Sequence, residues 1–178
     1  MKIKILLIFL IMLNLNNTLL ANETVKLFDF SFEDIDGNLI NLEKFSGNPI
    51  LIVNTASRCG FTRQYEDLQN LFLNYRKSDL TIIATTSNSF NQEFSNNEDI
   101  KKICLVNYGV GFVTSSPMSV KGSEAHPIYS WLNDEYDEVP KWNFYKYLFD
   151  RNGKLVKSWS SMTKPDSIKI TNEIDSLI

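Results

Sequence analysis

The 178-residue chain predicts an α/β fold built on one mixed β-sheet with helices on both faces. Two short apolar runs rich in β-branched residues, Ile50–Val53 and Leu80–Thr85, bracket a stretch of helical apolar spacing, which makes a β-α-β crossover. Near the C-terminus the alternating run Tyr145–Phe149 meets Leu155–Trp159 across Asp150-Arg151-Asn152-Gly153, which makes an antiparallel hairpin. A right-handed crossover followed by such a hairpin joins parallel and antiparallel strands in one sheet. With 43% hydrophobic and 22% charged residues, the composition suits one cored domain of this length.

The elements follow in order. Lys2 and Lys4 precede the apolar run Ile5–Leu13, and Leu19-Leu20-Ala21 offers a small residue at a cut site. This reads as a secretory signal over residues 1–21, with cleavage after Ala21 and an uncleaved anchor as the alternative. The run is shorter than the roughly 20 apolar residues of a comfortable span. A domain over residues 22–178, exported to a bacterial periplasm, is the expectation. Phe28–Asp34 alternates with period two, Asp36-Gly37 signals a turn, and Leu39–Leu42 continues beyond it, giving a leading hairpin. Gly47-Asn48-Pro49 breaks the chain before Ile50–Val53, a run suited to burial on both faces.

After Cys59, the spacing of Tyr65, Leu68, Leu71, Phe72 and Tyr75 predicts a helix. A polar loop, Thr86 to Asn97, follows the second strand. Ile100, Ile103, Cys104 and Val106 then fit one face of another helix, capped by Asn97 with Glu98 and Asp99 in its first turn. Phe112 to Val120 reads as irregular, and Pro127–Leu132 as a short helix with Pro in its first turn. Asp166–Ile178, with Ile168, Ile174 and Leu177, closes the chain as a helix. This order is the thioredoxin-like arrangement.

A net charge of −3 and a pI near 5.2, with no Lys/Arg cluster interleaved with aromatics, exclude a nucleic-acid partner. No basic or aromatic amphipathic stretch argues for a membrane surface. His126 is the only histidine, and neither Cys-x-x-Cys nor Cys-x-x-x-Cys occurs, so neither a metal site nor a cofactor is expected. His126 precedes Pro127 and reads as structural. Cys59 carries the chemistry. It sits where a strand runs into a helix, and the first helical turn offers unpaired N–H groups that favour thiolate over thiol. Arg58 reads equally as a partner of that thiolate or as a solvated surface residue.

Four stretches appear together in register: Asn54-Thr55-Ala56-Ser57-Arg58-Cys59-Gly60-Phe61-Thr62, Ser87-Asn88-Ser89-Phe90-Asn91-Gln92-Glu93, Tyr108-Gly109-Val110-Gly111-Phe112 and Lys141-Trp142-Asn143-Phe144-Tyr145-Lys146-Tyr147-Leu148. From Phe28 onward the chain resembles the glutathione peroxidase family. The resemblance implies reduction of hydrogen peroxide and organic hydroperoxides by Cys59 through a sulfenic acid. It places Trp142 as an indole donor and Asn143 as an amide beside that sulfur, in a loop fixed by Pro140. Where the family carries an active-site Gln, this chain has Ser89 and a residue fewer in the loop that follows. Gln92, after a loop shift, is the second candidate for that role. Val113–Pro117 is another departure from the family pattern.

Cys104 matches the resolving cysteine of thioredoxin-dependent members. The resemblance therefore implies a Cys59–Cys104 disulfide recycled by a thioredoxin-like dithiol, with glutathione as the lesser donor. It also implies a monomer whose partners are peroxide and reductant. The alternative is a catalytically weak or inactive thioredoxin-like binding domain with a structural Cys59–Cys104 disulfide.

Overall fold

The computed structural model describes residues 25–178; the segment read as a signal, residues 1–21, lies outside the described residues. The first alternating run pairs as an antiparallel hairpin, β1 (Ser31–Glu33) with β2 (Leu39–Asn41). Asp34 holds its turn, accepting at Oδ1 from the Asp36 and Asn38 N–H groups at 2.9 and 2.8 Å. Gly37 supplies the left-handed φ of +84° that the turn requires. The strands are shorter than the alternation suggests because Leu27–Asp29 winds into a 3-10 turn.

The main sheet takes the strands β3 (Ile50–Thr55), β4 (Thr81–Thr86), β5 (Val113–Thr114), β6 (Lys146–Phe149) and β7 (Leu155–Trp159) in the order β5-β4-β3-β6-β7. β3 runs parallel to β4, and β4 to β5; β6 is antiparallel to β3 and to β7. The helices are α1 (Gln64–Tyr75), α2 (Asn97–Lys101), α3 (Pro127–Tyr136) and α4 (Ile168–Asp175). Successive side chains of β3 point to opposite faces, and each face builds its own core. Leu51 and Val53 pack with Leu68 and Leu71 of α1 and with Ile170 and Ile174 of α4. Ile50 and Ile52 pack with Ile128, Tyr129 and Leu132 of α3. A mixed sheet covered in this way is the thioredoxin-like fold. Among the described residues no helix is long and apolar enough to cross a membrane.

Five local readings change. α1 begins at Gln64, five residues beyond Cys59, because a series of tight turns intervenes. Asn96, not Asn97, caps α2, its side chain accepting from the Asp99 N–H at 2.9 Å. α2 continues as a π-helical stretch, Lys102–Asn107, whose wider turn leaves Cys104 buried but Val106 75% exposed. In α4, Ile170 and Ile174 face the core while Ile168 lies outside. The two-residue β5 stands in a segment read as irregular.

One buried charge in the sheet has a measurable consequence. Lys146 is fully buried in β6, and its Nζ donates to Gln64 Oε1 at 2.5 Å and to the Thr163 carbonyl at 2.7 Å. Burial pulls its ammonium down to about 7, with Asp67 acting in the opposite sense. The unfolded lysine keeps its proton up to its ordinary 10.5, so between these values unfolding takes up a proton and stability rises with pH. The rise ends near pH 9, since burial pushes the Cys104 thiol from 9.0 up to about 11, which acts the other way. Stability is expected to increase by roughly 2–3 kcal/mol between pH 7 and pH 9. Thermal melts across that range check it; Lys146→Met flattens the profile.

Candidate functional site

β3 delivers the chain at its C-terminal end into the turn that carries Cys59. Thr62 pins this turn: its Oγ1 accepts from the Cys59 N–H at 3.0 Å and lies 2.7 Å from the Cys59 carbonyl oxygen. Cys59 is 9% exposed, and its sulfur receives the Phe61 N–H at 3.4 Å. Bonds from Thr62 N to Cys59 O (3.1 Å), Gln64 N to Phe61 O (2.8 Å) and Tyr65 N to Thr62 O (3.0 Å) then lead into α1. The donor at the sulfur thus comes from this turn, not from the first turn of the helix. A backbone N–H at sulfur suits the negative charge that a nucleophile carries.

A buried carboxylate braces the same loop from behind. Glu93 accepts from the Ser57 N–H through both oxygens, at 3.2 and 3.1 Å, and from the Phe94 N–H at 2.8 Å. Burial pushes its carboxyl up while these donors pull the other way. Arg58 is exposed and lays its guanidinium 5.5 Å from the centre of the Phe94 ring.

The loop after β4 reaches the Cys59 turn through its backbone, the Arg58 N–H donating to the Gln92 carbonyl at 2.9 Å. Asn91, with φ of +57°, makes the sharp turn that presents Gln92 there. The side chain of Gln92 meets the loop that carries Asn143, its Oε1 accepting from Asn143 Nδ2 at 2.9 Å. Ser89 is engaged elsewhere. Its hydroxyl oxygen accepts from the Val120 N–H at 3.0 Å and lies 3.0 Å from Ser87 Oγ.

Asn54, at the end of β3, clamps the loop that carries Trp142 and Asn143. Its Nδ2 donates to the Trp142 carbonyl at 3.0 Å, and its Oδ1 accepts from the Tyr145 N–H at 2.9 Å. Its carbonyl accepts from the Phe144 N–H at 2.5 Å. These bonds hold Phe144 at a φ of +64°, a costly conformation for an aromatic residue. Asn143 beside it is fully buried, with Oδ1 unpartnered. Trp142 stays 40% exposed against Phe90, ring centres 5.3 Å apart.

Cys59, Gln92, Trp142 and Asn143 therefore stand on three loops at one edge of the sheet, where the parallel strands end and β6 begins. Cys104 is 1% exposed in the same core as Cys59, with the Tyr65 hydroxyl beside its sulfur but without a well-formed hydrogen bond. Both cysteines are free thiols. His126 caps α3, its Nδ1 accepting from the Ile128 N–H at 3.3 Å, and burial pulls its imidazole down. Asn54, Thr62 and Glu93 were not singled out by sequence. Asn54 had one legible sign, a polar amide at the end of an apolar run.

The family model for glutathione peroxidase matches residues 27–133. A glutathione peroxidase of Lactococcus lactis is 36% identical over 147 residues, covering 80% of this chain and 94% of the relative. The glutathione peroxidase-like peroxiredoxin 2 of Saccharomyces cerevisiae is 37% identical over 161 residues, covering 87% and 98%. Among solved structures, Trgpx in its apo form superposes with a TM-score of 0.69 at 31% identity, covering 86% of this chain and 95% of that one. With a model match over most of the chain and relatives that align almost end to end, the chain belongs to the glutathione peroxidase family and is a peroxidase.

Proposed function

We propose that Cys59 reduces hydrogen peroxide and organic hydroperoxides, that Cys104 resolves the product, and that a thioredoxin-like dithiol or glutathione recycles the enzyme. The observation that carries this reading is the junction at Gln92, which bonds the backbone beside Cys59 on one side and Asn143 on the other. The Cys59 thiolate attacks one peroxide oxygen, the O–O bond breaks, and the sulfur leaves as a sulfenic acid while the other oxygen takes a proton as water or alcohol. With Oε1 held by Asn143, the Gln92 amide keeps its N–H donors for the reacting oxygens. The Cys104 thiol then displaces hydroxide from the sulfenic acid, giving a disulfide and water. A dithiol reduces that disulfide and becomes oxidised in turn.

Gln92 here takes the role that the resemblance assigns to the position of Ser89, because the Ser89 oxygen accepts from Val120 and Ser87 and so leaves its O–H facing Ser119 Oγ at 3.4 Å. The basic and then apolar start of the chain supports export, which makes a periplasmic dithiol protein the fitting reductant. Peroxide consumption by the purified protein with an excess of small dithiol tests the reading. Gln92→Ala is expected to slow Cys59 oxidation at least about tenfold, whereas Ser89→Ala leaves it within about twofold. A wild-type protein that consumes no peroxide overturns the proposal.

A further inference from the structure

The backbone of Asn143 is held by polar groups that are themselves buried. Its carbonyl accepts from Ser161 Oγ at 2.6 Å. The Ser161 carbonyl accepts from Gln64 Nε2 at 2.6 Å, and Gln64 Oε1 accepts from Lys146 Nζ at 2.5 Å. Lys146 also donates to the Thr163 carbonyl at 2.7 Å, so two points of the segment after β7 are gripped by one short network. Gln64, Ser161, Asn143 and Lys146 are all buried, so each bond forms without competition from water.

The polarity of this network is fixed on both sides of Gln64, since the Ser161 carbonyl only accepts and the Lys146 ammonium only donates. An amide such as Gln64 fits its slot in either of two orientations, but an ammonium only donates. While it carries its proton, Lys146 requires Oε1 of Gln64 to face it, as the Ser161 carbonyl requires Nε2 on the other side. Both acceptors of Lys146 are uncharged, and a charge buried on such partners is costly where an aliphatic side chain would fill the same space. Burial pulls the ammonium down to about 7, which agrees with that cost. Packing alone gives no reason for a lysine here; a buried donor for the Oε1 of Gln64 and for the Thr163 carbonyl does.

We propose that Lys146, acting through Gln64 and Ser161, is a positioning residue that holds Asn143 in register with Gln92 for the reaction at Cys59. This rests on Cys59 being the reacting thiol. No member of the network touches substrate; each acts by fixing the loop from which Asn143 reaches Gln92.

Gln64→Glu separates positioning from stability. The carboxylate keeps an acceptor for Lys146 and neutralises its charge, but it removes the donor to the Ser161 carbonyl and sets an oxygen against it. Its melting temperature is expected to equal or exceed that of the wild type, while the second-order rate of Cys59 oxidation by hydrogen peroxide falls about tenfold. Ser161→Ala, a small change that folds readily, is expected to lower that rate by about threefold or more through the lost bond to Asn143. Alkylation of Cys59 by iodoacetamide stays within about twofold of wild type in both variants, since the side-chain bonds they alter do not include those at the sulfur or at Thr62. Unchanged oxidation rates in folded Gln64→Glu and Ser161→Ala proteins overturn the inference. Cys59→Ser serves as the control for the underlying reading: if it consumes peroxide like the wild type, that reading has failed. If Cys59→Ser is inactive and Asn143→Ala slow while the network variants are normal, only the inference has failed.

Discussion

Replacing Cys59 with Ser abolishes peroxide reduction, with an expected loss of at least about 1,000-fold in rate and no loss of fold. The fold survives because the native sulfur makes one weak polar bond, from the Phe61 N–H, which a hydroxyl accepts as well. The turn itself is held by Thr62 and Glu93, neither of which uses the Cys59 side chain. Activity is lost because a serine hydroxyl is not ionised near neutral pH and needs a base beside it. His126 is the one imidazole in the chain, and it caps α3 with its Nδ1 already accepting from Ile128. Glu93 faces the backbone N–H groups of Ser57 and Phe94. Peroxide consumption and far-UV circular dichroism, measured together, check both halves of the prediction; residual activity near wild type would move the chemistry away from this loop.

Cys104→Ser divides the cycle rather than stopping it. Turnover with a thioredoxin system is expected to fall at least about a hundredfold, because no second sulfur can form the disulfide that the dithiol reads. A single oxidation of Cys59 by peroxide persists within about twofold, and the sulfenic acid accumulates where dimedone traps it. Glutathione-driven turnover continues, since an external thiol attacks the sulfenic acid directly. The structure shows what the native residue must do to act. Its thiol is buried and pushed up to about 11, and a disulfide needs the two Cα atoms within about 7 Å. The π-helical stretch around it is anchored by few apolar contacts: Leu105 and Val106 point to solvent, and Ile100 and Cys104 carry most of the burial. Such a segment belongs to the less stable end of a domain, and its opening exposes Cys104. Thioredoxin-driven turnover that survives the substitution would remove the resolving role.

The parts of the fold legible in sequence were those with an unmixed period. Ile50–Val53 and Leu80–Thr85 became β3 and β4 because a strand covered on both faces tolerates nothing else, and the Asp36-Gly37 and Asp150–Gly153 turns were set by local chemistry. β5 was illegible because its two residues are ordered by pairing with β4 at Ile83 and Ala84 and not by any pattern of their own. Val106 was misplaced because helical spacing assumes the α period, and the chain widens into π turns at Lys102. Cys59, Trp142 and Asn143, which the motifs single out, stand on neighbouring loops at the end of β3 and the start of β6. That Gln92 and not Ser89 bonds Asn143 was not legible, because it depends on the left-handed turn at Asn91, which an Asn adopts without announcing it. Lys146 lies in a quoted motif, but nothing in the sequence linked it to Gln64 and Ser161: they lie far apart along the chain, and only the sheet and the start of α1 bring them together.

One measurement reaches the centre of this mechanism. The reduced protein is mixed with one equivalent of hydrogen peroxide, quenched by alkylation, and weighed intact before peptide mapping. A mass lower by two hydrogens, no alkylation, and a peptide pair joining Cys59 to Cys104 is the expected result. Cys59 recovered fully alkylated after the peroxide has been consumed, or a stable oxidised Cys59 with Cys104 still free, would contradict it.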